Sequence, residues 1–91
     1  TLVFKLKHPS GSQLELDFLQ AAQKLADIPV IENFECLRQI SKKNNFDFGL
    51  SMEFQSMDDY QIYNNHPDHI RFVESCWIPE VSDFMEIDYE L

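Results

Sequence analysis

Apolar and polar positions change period several times along the chain, and each change marks an element. Leu2, Phe4 and Leu6 alternate with Val3, Lys5 and Lys7. That two-residue period puts three apolar side chains on one face of a strand. His8-Pro9-Ser10-Gly11 then breaks the pattern with turn residues. Ser12 and Glu15 are spaced as a capping box, in which each side chain satisfies an exposed backbone N–H of the other. The helix predicted after it turns Leu14, Phe18, Ala21, Ala22 and Leu25 inward and ends before Pro29. A weaker strand is expected from Ile31 to Ile40, with Phe34 and Cys36 on one side and Glu35 and Leu37 on the other. Ser41 to Asn45 is a polar connection suited to a hairpin. Phe46, Phe48, Leu50, Met52 and Phe54 follow in strict alternation, which only a strand gathers onto one face.

Ser56 caps a second predicted helix, with Asp58 and Asp59 at the positive end of its dipole and Met57, Tyr60 and Tyr63 inward. The residues before Pro67 end it. Asp68 is placed to cap a third helix with Ile70, Val73, Cys76 and Trp77 on one stripe, which Pro79 ends or kinks. Asp83 to Glu90 alternates again and reads as a closing strand. The order β-α-β-β-α-α-β predicts an α+β, ferredoxin-like fold, a four-stranded antiparallel sheet with helices on one face. The other face carries Val3, Lys5, Asp47, Ser51 and Glu53, too mixed to say whether solvent or a second chain covers it.

Length and charge narrow the possibilities. Ninety-one residues without linker or repeat make one domain, 1–91. The formal charge of -9 argues against binding nucleic acid or an anionic membrane surface. No apolar run is long enough to span a membrane, and no basic segment precedes an apolar core as a signal peptide would show. Cys36 and Cys76 form no paired motif and read as small buried hydrophobes. A cytoplasmic location is expected from these features. The chain begins at Thr1 without an initiator Met and enters a strand at once, so residues preceding it are expected.

Three segments carry a family likeness: Leu2 to Lys7, Tyr60-Gln61-Ile62-Tyr63-Asn64-Asn65-His66-Pro67-Asp68-His69, and Phe84 to Glu90. The His66-Pro67-x-His69 turn followed by Phe72-Val73 is the most specific piece. Together they resemble the stress-responsive α/β-barrel domain (Dabb) family. The resemblance implies a homodimer whose two sheets face each other as a dimeric α/β barrel. Pairing two chains of this charge would then draw on local matches such as Lys5 or Lys7 with Glu53 or Glu86. It does not imply one activity, since stress-induced proteins, proteins of unknown role and plant polyketide cyclases share the scaffold.

In cyclase-like members a Tyr at the end of the second helix and the second His of the turn carry the chemistry, and Tyr63 and His69 match them here. An imidazole that titrates near neutrality can take a proton beside a carbonyl, and a phenol hydroxyl can stabilise the enolate. Those members also carry a His on the third strand, where this chain has Phe48, and a His often begins the family's first strand, just before Thr1. The competing reading is that His66 and His69 tie the turn by hydrogen bonds. A two-His zinc site is weakened by Pro67, no motif localises a magnesium-like ion, and the turn is poorly placed for a haem ligand. No metal or cofactor is therefore expected. Phe4, Phe48, Leu50 and Trp77 are the expected walls of a pocket for a small apolar ligand between sheet and helices. The first functional expectation is thus a homodimeric, ligand-binding stress-type barrel; the alternative is a carbonyl-activating enzyme.

Overall fold

The computed structural model describes residues 1–90. Strand β1 (Leu2–Leu6) leads through the His8–Gly11 turn to helix α1 (Gln13–Gln23), which tightens into a 3₁₀ turn at Lys24–Asp27 before Pro29. Strands β2 (Glu32–Arg38) and β3 (Phe48–Glu53) form a hairpin. Helices α2 (Met57–Asn65) and α3 (Pro67–Phe72) follow, and the helical path continues through a wide π-type turn at Val73–Trp77 and a last turn, α4 (Ile78–Glu80). Strand β4 (Val81–Glu86) closes the sheet, whose order is β2-β3-β1-β4, all antiparallel. This is the predicted ferredoxin-like arrangement.

The core lies between the sheet and the helices. Phe4, at the centre of β1, is fully buried and meets the rings of Phe18, Phe48 and Trp77 at 5.6, 5.7 and 5.1 Å. Burying one such side chain contributes about 1.5–3 kcal/mol. Leu6, Ala22, Leu25, Ile28, Leu50, Tyr63 and Phe72 complete the buried set. His8 Nε2 lies 2.6 Å from Glu80 Oε1, and Lys7 N–H donates to the Glu80 carbonyl at 2.8 Å, so the first turn is tied to the end of the helical path.

Several expectations about facing are corrected. Phe18, Ala22 and Leu25 are buried as expected, but Leu14 is 56% exposed and Glu15 is buried in the first turn instead. The cap accounts for it: Ser12 Oγ accepts from Glu15 N–H at 3.2 Å, while the Glu15 carboxylate accepts from Gly11 N–H at 3.2 Å, not from Ser12. Ser12 N–H goes to the Pro9 carbonyl instead. Met57 is 70% exposed in the first turn of α2, and on α3 the buried residue is Phe72, with Ile70 outside. His66, not Asp68, is the cap of α3. Pro79 cannot donate to the carbonyl four residues back, and the helical path widens just before it. Phe46 belongs to the connection between β2 and β3, where Gln39 Nε2 donates to its carbonyl at 2.6 Å.

The face of the sheet away from the helices carries a straight cross-strand row. Leu37 stands opposite Gly49, Gly49 opposite Val3, and Val3 opposite Met85. Leu37 is 48% and Met85 46% exposed, and Ile87 is exposed beyond them. Lys5 sits opposite Asp83 on its own sheet. Glu86 stands opposite Leu2, on the helix-facing side, so it is not a residue of the open face.

Candidate functional site

Helices α2 and α3 meet at a corner that the sequence fixes tightly. Ser56 Oγ caps α2 by accepting from Asp59 N–H at 3.1 Å, and α2 ends where Pro67 forbids a helical His66. His66 takes an extended conformation, and its Nδ1 accepts from Asp68 N–H at 3.1 Å to start α3, with Pro67 in the first turn. One turn along, His69 Nδ1 lies 3.2 Å from the Asn64 carbonyl oxygen. A carbonyl only accepts, so this nitrogen carries the proton and the neutral ring leaves its lone pair on Nε2. Among the described residues Nε2 has no hydrogen-bond partner.

Tyr63, on the last turn of α2, packs its ring 4.2 Å from the His69 ring, and Phe54 lies 5.3 Å on its other side. The structure therefore brings together the two residues expected to carry chemistry. Burial, aided by Tyr60 and Glu86, raises the Tyr63 phenol well above its ordinary range, so it remains a hydrogen-bond donor. Burial lowers the His69 imidazole below its ordinary value; the bond to Asn64 and the Glu86 charge oppose that shift, and His66 adds to it. Glu86, expected from the sequence to pair across the open face, lies on the helix-facing side opposite Leu2. Its position in the alternation of β4, two residues after Phe84, was the available signal.

The four expected ligand contacts divide. Phe4, Phe48 and Leu50 are filled core, with the Arg38 guanidinium 5.0 Å from the centre of the Phe48 ring. Trp77 also reaches the surface, where with Ile78, Val81, Ser82, Asp83 and Phe84 it lines an open hollow of about 320 Å³. A second hollow of about 390 Å³ is polar and lies at the connection between β2 and β3, beside Lys5 and Lys42. Among the described residues no three His, Cys, Asp or Glu side chains come together to hold a metal ion. No helix there is long and apolar enough to cross a membrane.

A β2-β3-β1-β4 sheet covered on one side by helices, with an imidazole and a phenol at the helical corner, defines a ferredoxin-like α+β protein. Within that class the chain belongs to the stress-responsive A/B barrel domain (Dabb) family, whose model matches residues 1–91. It is similar to a Dabb family protein with a ferredoxin-like fold from Mesorhizobium loti MAFF303099, at 50% identity and a TM-score of 0.97, over 99% of this chain and 91% of that one. A dimeric ferredoxin-like protein of unknown function from Thermobifida fusca YX aligns at 22% identity and a TM-score of 0.81, over 99% and 86% of the two chains. A dimeric protein of unknown function and ferredoxin-like fold from Bacteroides fragilis NCTC 9343 aligns at 22% and 0.75, over 99% and 91%. A stress-response A/B barrel domain-containing protein of Arabidopsis thaliana is 27% identical over 90 residues. That match covers 97% of this chain, which spans 34% of the length of the plant protein.

Proposed function

We propose that this chain works as a homodimeric α/β barrel, its two sheets meeting through the Leu37–Gly49–Val3–Met85 row. The row is the observation that carries the reading, because a solvated sheet face would be expected to alternate to polar side chains. Gly49 keeps the centre of the face flat, and structures of similar fold from Thermobifida fusca and Bacteroides fragilis are described as dimeric. The free cysteines, whose thiols burial pushes up, support a reducing compartment such as the cytoplasm. A small apolar ligand enters beside Trp77, where the hollow meets the aromatic core. Light scattering on the purified chain tests the assembly: a mass twice 10.8 kDa agrees with it, and a mass of 10.8 kDa rejects it.

A second reading is favoured by the Tyr63–His69 pair, which suits carbonyl activation. His69 Nε2 takes a proton from carbon beside a carbonyl, the electron pair moves onto the carbonyl oxygen, and the Tyr63 hydroxyl donates to that oxygen. An aldol-type closure of a polyketone is the reaction this supports. Equal turnover of a cyclisable polyketone by wild type and His69→Ala would dismiss it.

A further inference from the structure

Register lines the residues of the open sheet face into rows that cross all four strands. The central row is Leu37, Gly49, Val3 and Met85. The next row, toward the end of β1, holds Gln39, Asp47, Lys5 and Asp83. Lys5 pairs with Asp83, Asp47 N–H donates to the Phe4 carbonyl at 3.0 Å, and Gln39 N–H donates to the Asp47 carbonyl at 2.9 Å. Lys5 and Asp47 are exposed and line one hollow, and neither forms an ion pair among the described residues. Nothing within the chain requires a glycine at position 49. Its φ is not left-handed, and an added Cβ would stand 3.7 Å from the Leu2 carbonyl oxygen and 3.9 Å from Val3 Cγ1, ordinary contact distances. Glycine weakens a strand interior unless something approaches it closely from outside. The two central strands thus differ in size and in charge at matching positions. From β3 come Gly49 and Asp47; from β1 come Val3 and Lys5.

We propose that a second copy docks on this face about a two-fold axis running along the strands between β1 and β3, seating Val3 of each copy on Gly49 of the other and setting Lys5 against Asp47. The proposal rests on the homodimer reading. A two-fold interface is self-complementary: whatever a residue meets in the other copy, it is met by in return. An axis along the strands reverses their order and keeps the rows, so β1 lies over β3 and β2 over β4. Both sheets then overlap across their full width. Val3 fills the space above Gly49, Leu37 faces Met85, and each Lys5 gains the anion it lacks in its own chain. An axis along the rows would instead lay every strand over its own copy. Gly49 over Gly49 leaves a gap without contacts, and Asp47 meets the row of Ser51 and Glu35 instead of a cation. Aligned sheets cross at about 30°, which displaces edge strands most and the strands beside the axis least. The Val3–Gly49 and Lys5–Asp47 contacts are therefore the ones that twist preserves. This match of the face to itself selects a second copy as its occupant.

The test is native mass spectrometry on mixtures of variants of the full chain. Lys5→Asp and Asp47→Lys change exposed positions, so both are expected to keep the fold, which circular dichroism verifies. Alone, each variant sets like charges together twice across the axis and should lose about tenfold or more in dimer affinity. Mixed, the two restore both lysine–aspartate contacts, so the heterodimer should exceed the half share that random pairing gives. Gly49→Val mixed with Val3→Ala repeats the test by size with no change of net charge, and should favour the heterodimer in the same way. A heterodimer at its random share in either mixture overturns the two-fold arrangement and leaves the homodimer reading standing. A wild-type chain of single-chain mass would instead overturn that reading, and the proposal with it.

Discussion

His66 and His69, one helical turn apart, are held in opposite tautomers. His66 Nδ1 accepts from a backbone N–H, which leaves its proton on Nε2, while His69 Nδ1 donates to a backbone carbonyl and leaves its lone pair on Nε2. One ring caps a helix and the other leaves its acceptor nitrogen free among the described residues. Both rings therefore tie the turn to backbone, His66 to Asp68 and His69 to Asn64.

The capping role has a stability signature. His66→Ala removes the acceptor for Asp68 N–H and should cost about 1 kcal/mol in urea unfolding. His66→Asn keeps a capping oxygen and should recover most of that loss. Equal stability of the alanine variant and wild type would show that α3 does not need the cap.

The pH dependence of stability follows from the same corner. The His69 value is lowered on folding, so the unfolded chain binds more protons below about 6.5, and stability falls as pH drops through that range toward the folded value. The Tyr63 value is raised, so its contribution is fully present below about 10 and is lost as pH rises further and the unfolded phenol ionises first. Thermal melts across pH should show both slopes. His69→Gln should flatten the acid slope and Tyr63→Phe the alkaline one; an unaltered acid slope in His69→Gln would contradict the assignment.

Phe4→Ala should destabilise the fold by about 3–5 kcal/mol, because the ring is fully buried among three others. A loss under about 1 kcal/mol in chemical denaturation would mean that the space around Phe4 is a loose pocket and not a filled core.

Much of this is legible in the chain itself. Strict alternation over Phe46 to Phe54 points to β3 and its inward face, and the order of elements points to the sheet topology. The first turn of α1 is less legible, because Leu14 and Glu15 compete for one face and only the three-dimensional reach of the Glu15 carboxylate to Gly11 decides between them. The open face reads as mixed because its apolar members come from three strands. Leu37, Val3 and Met85 form a row only once register is known. Glu86 is hidden for the same reason, since its partner Leu2 lies at the far end of the sequence.

Charge gives the proposed dimer a salt dependence of definite sign. Each chain carries -9, and Glu32, Glu35 and Glu53 are free of cationic partners among the described residues. Screening this repulsion should tighten association as salt rises. Sedimentation at increasing sodium chloride checks it; a dimer that loosens would mean that lysine–glutamate pairs between copies outweigh the net charge.

The central claim is that a second copy covers the open sheet face. Leu37→Glu/Met85→Glu places two new charges on that face at positions half exposed within the chain, so folding should be little affected. Sedimentation equilibrium should return the two-chain mass for wild type and the single-chain 10.8 kDa for the variant, with unchanged circular dichroism. A variant that remains a dimer would contradict the account.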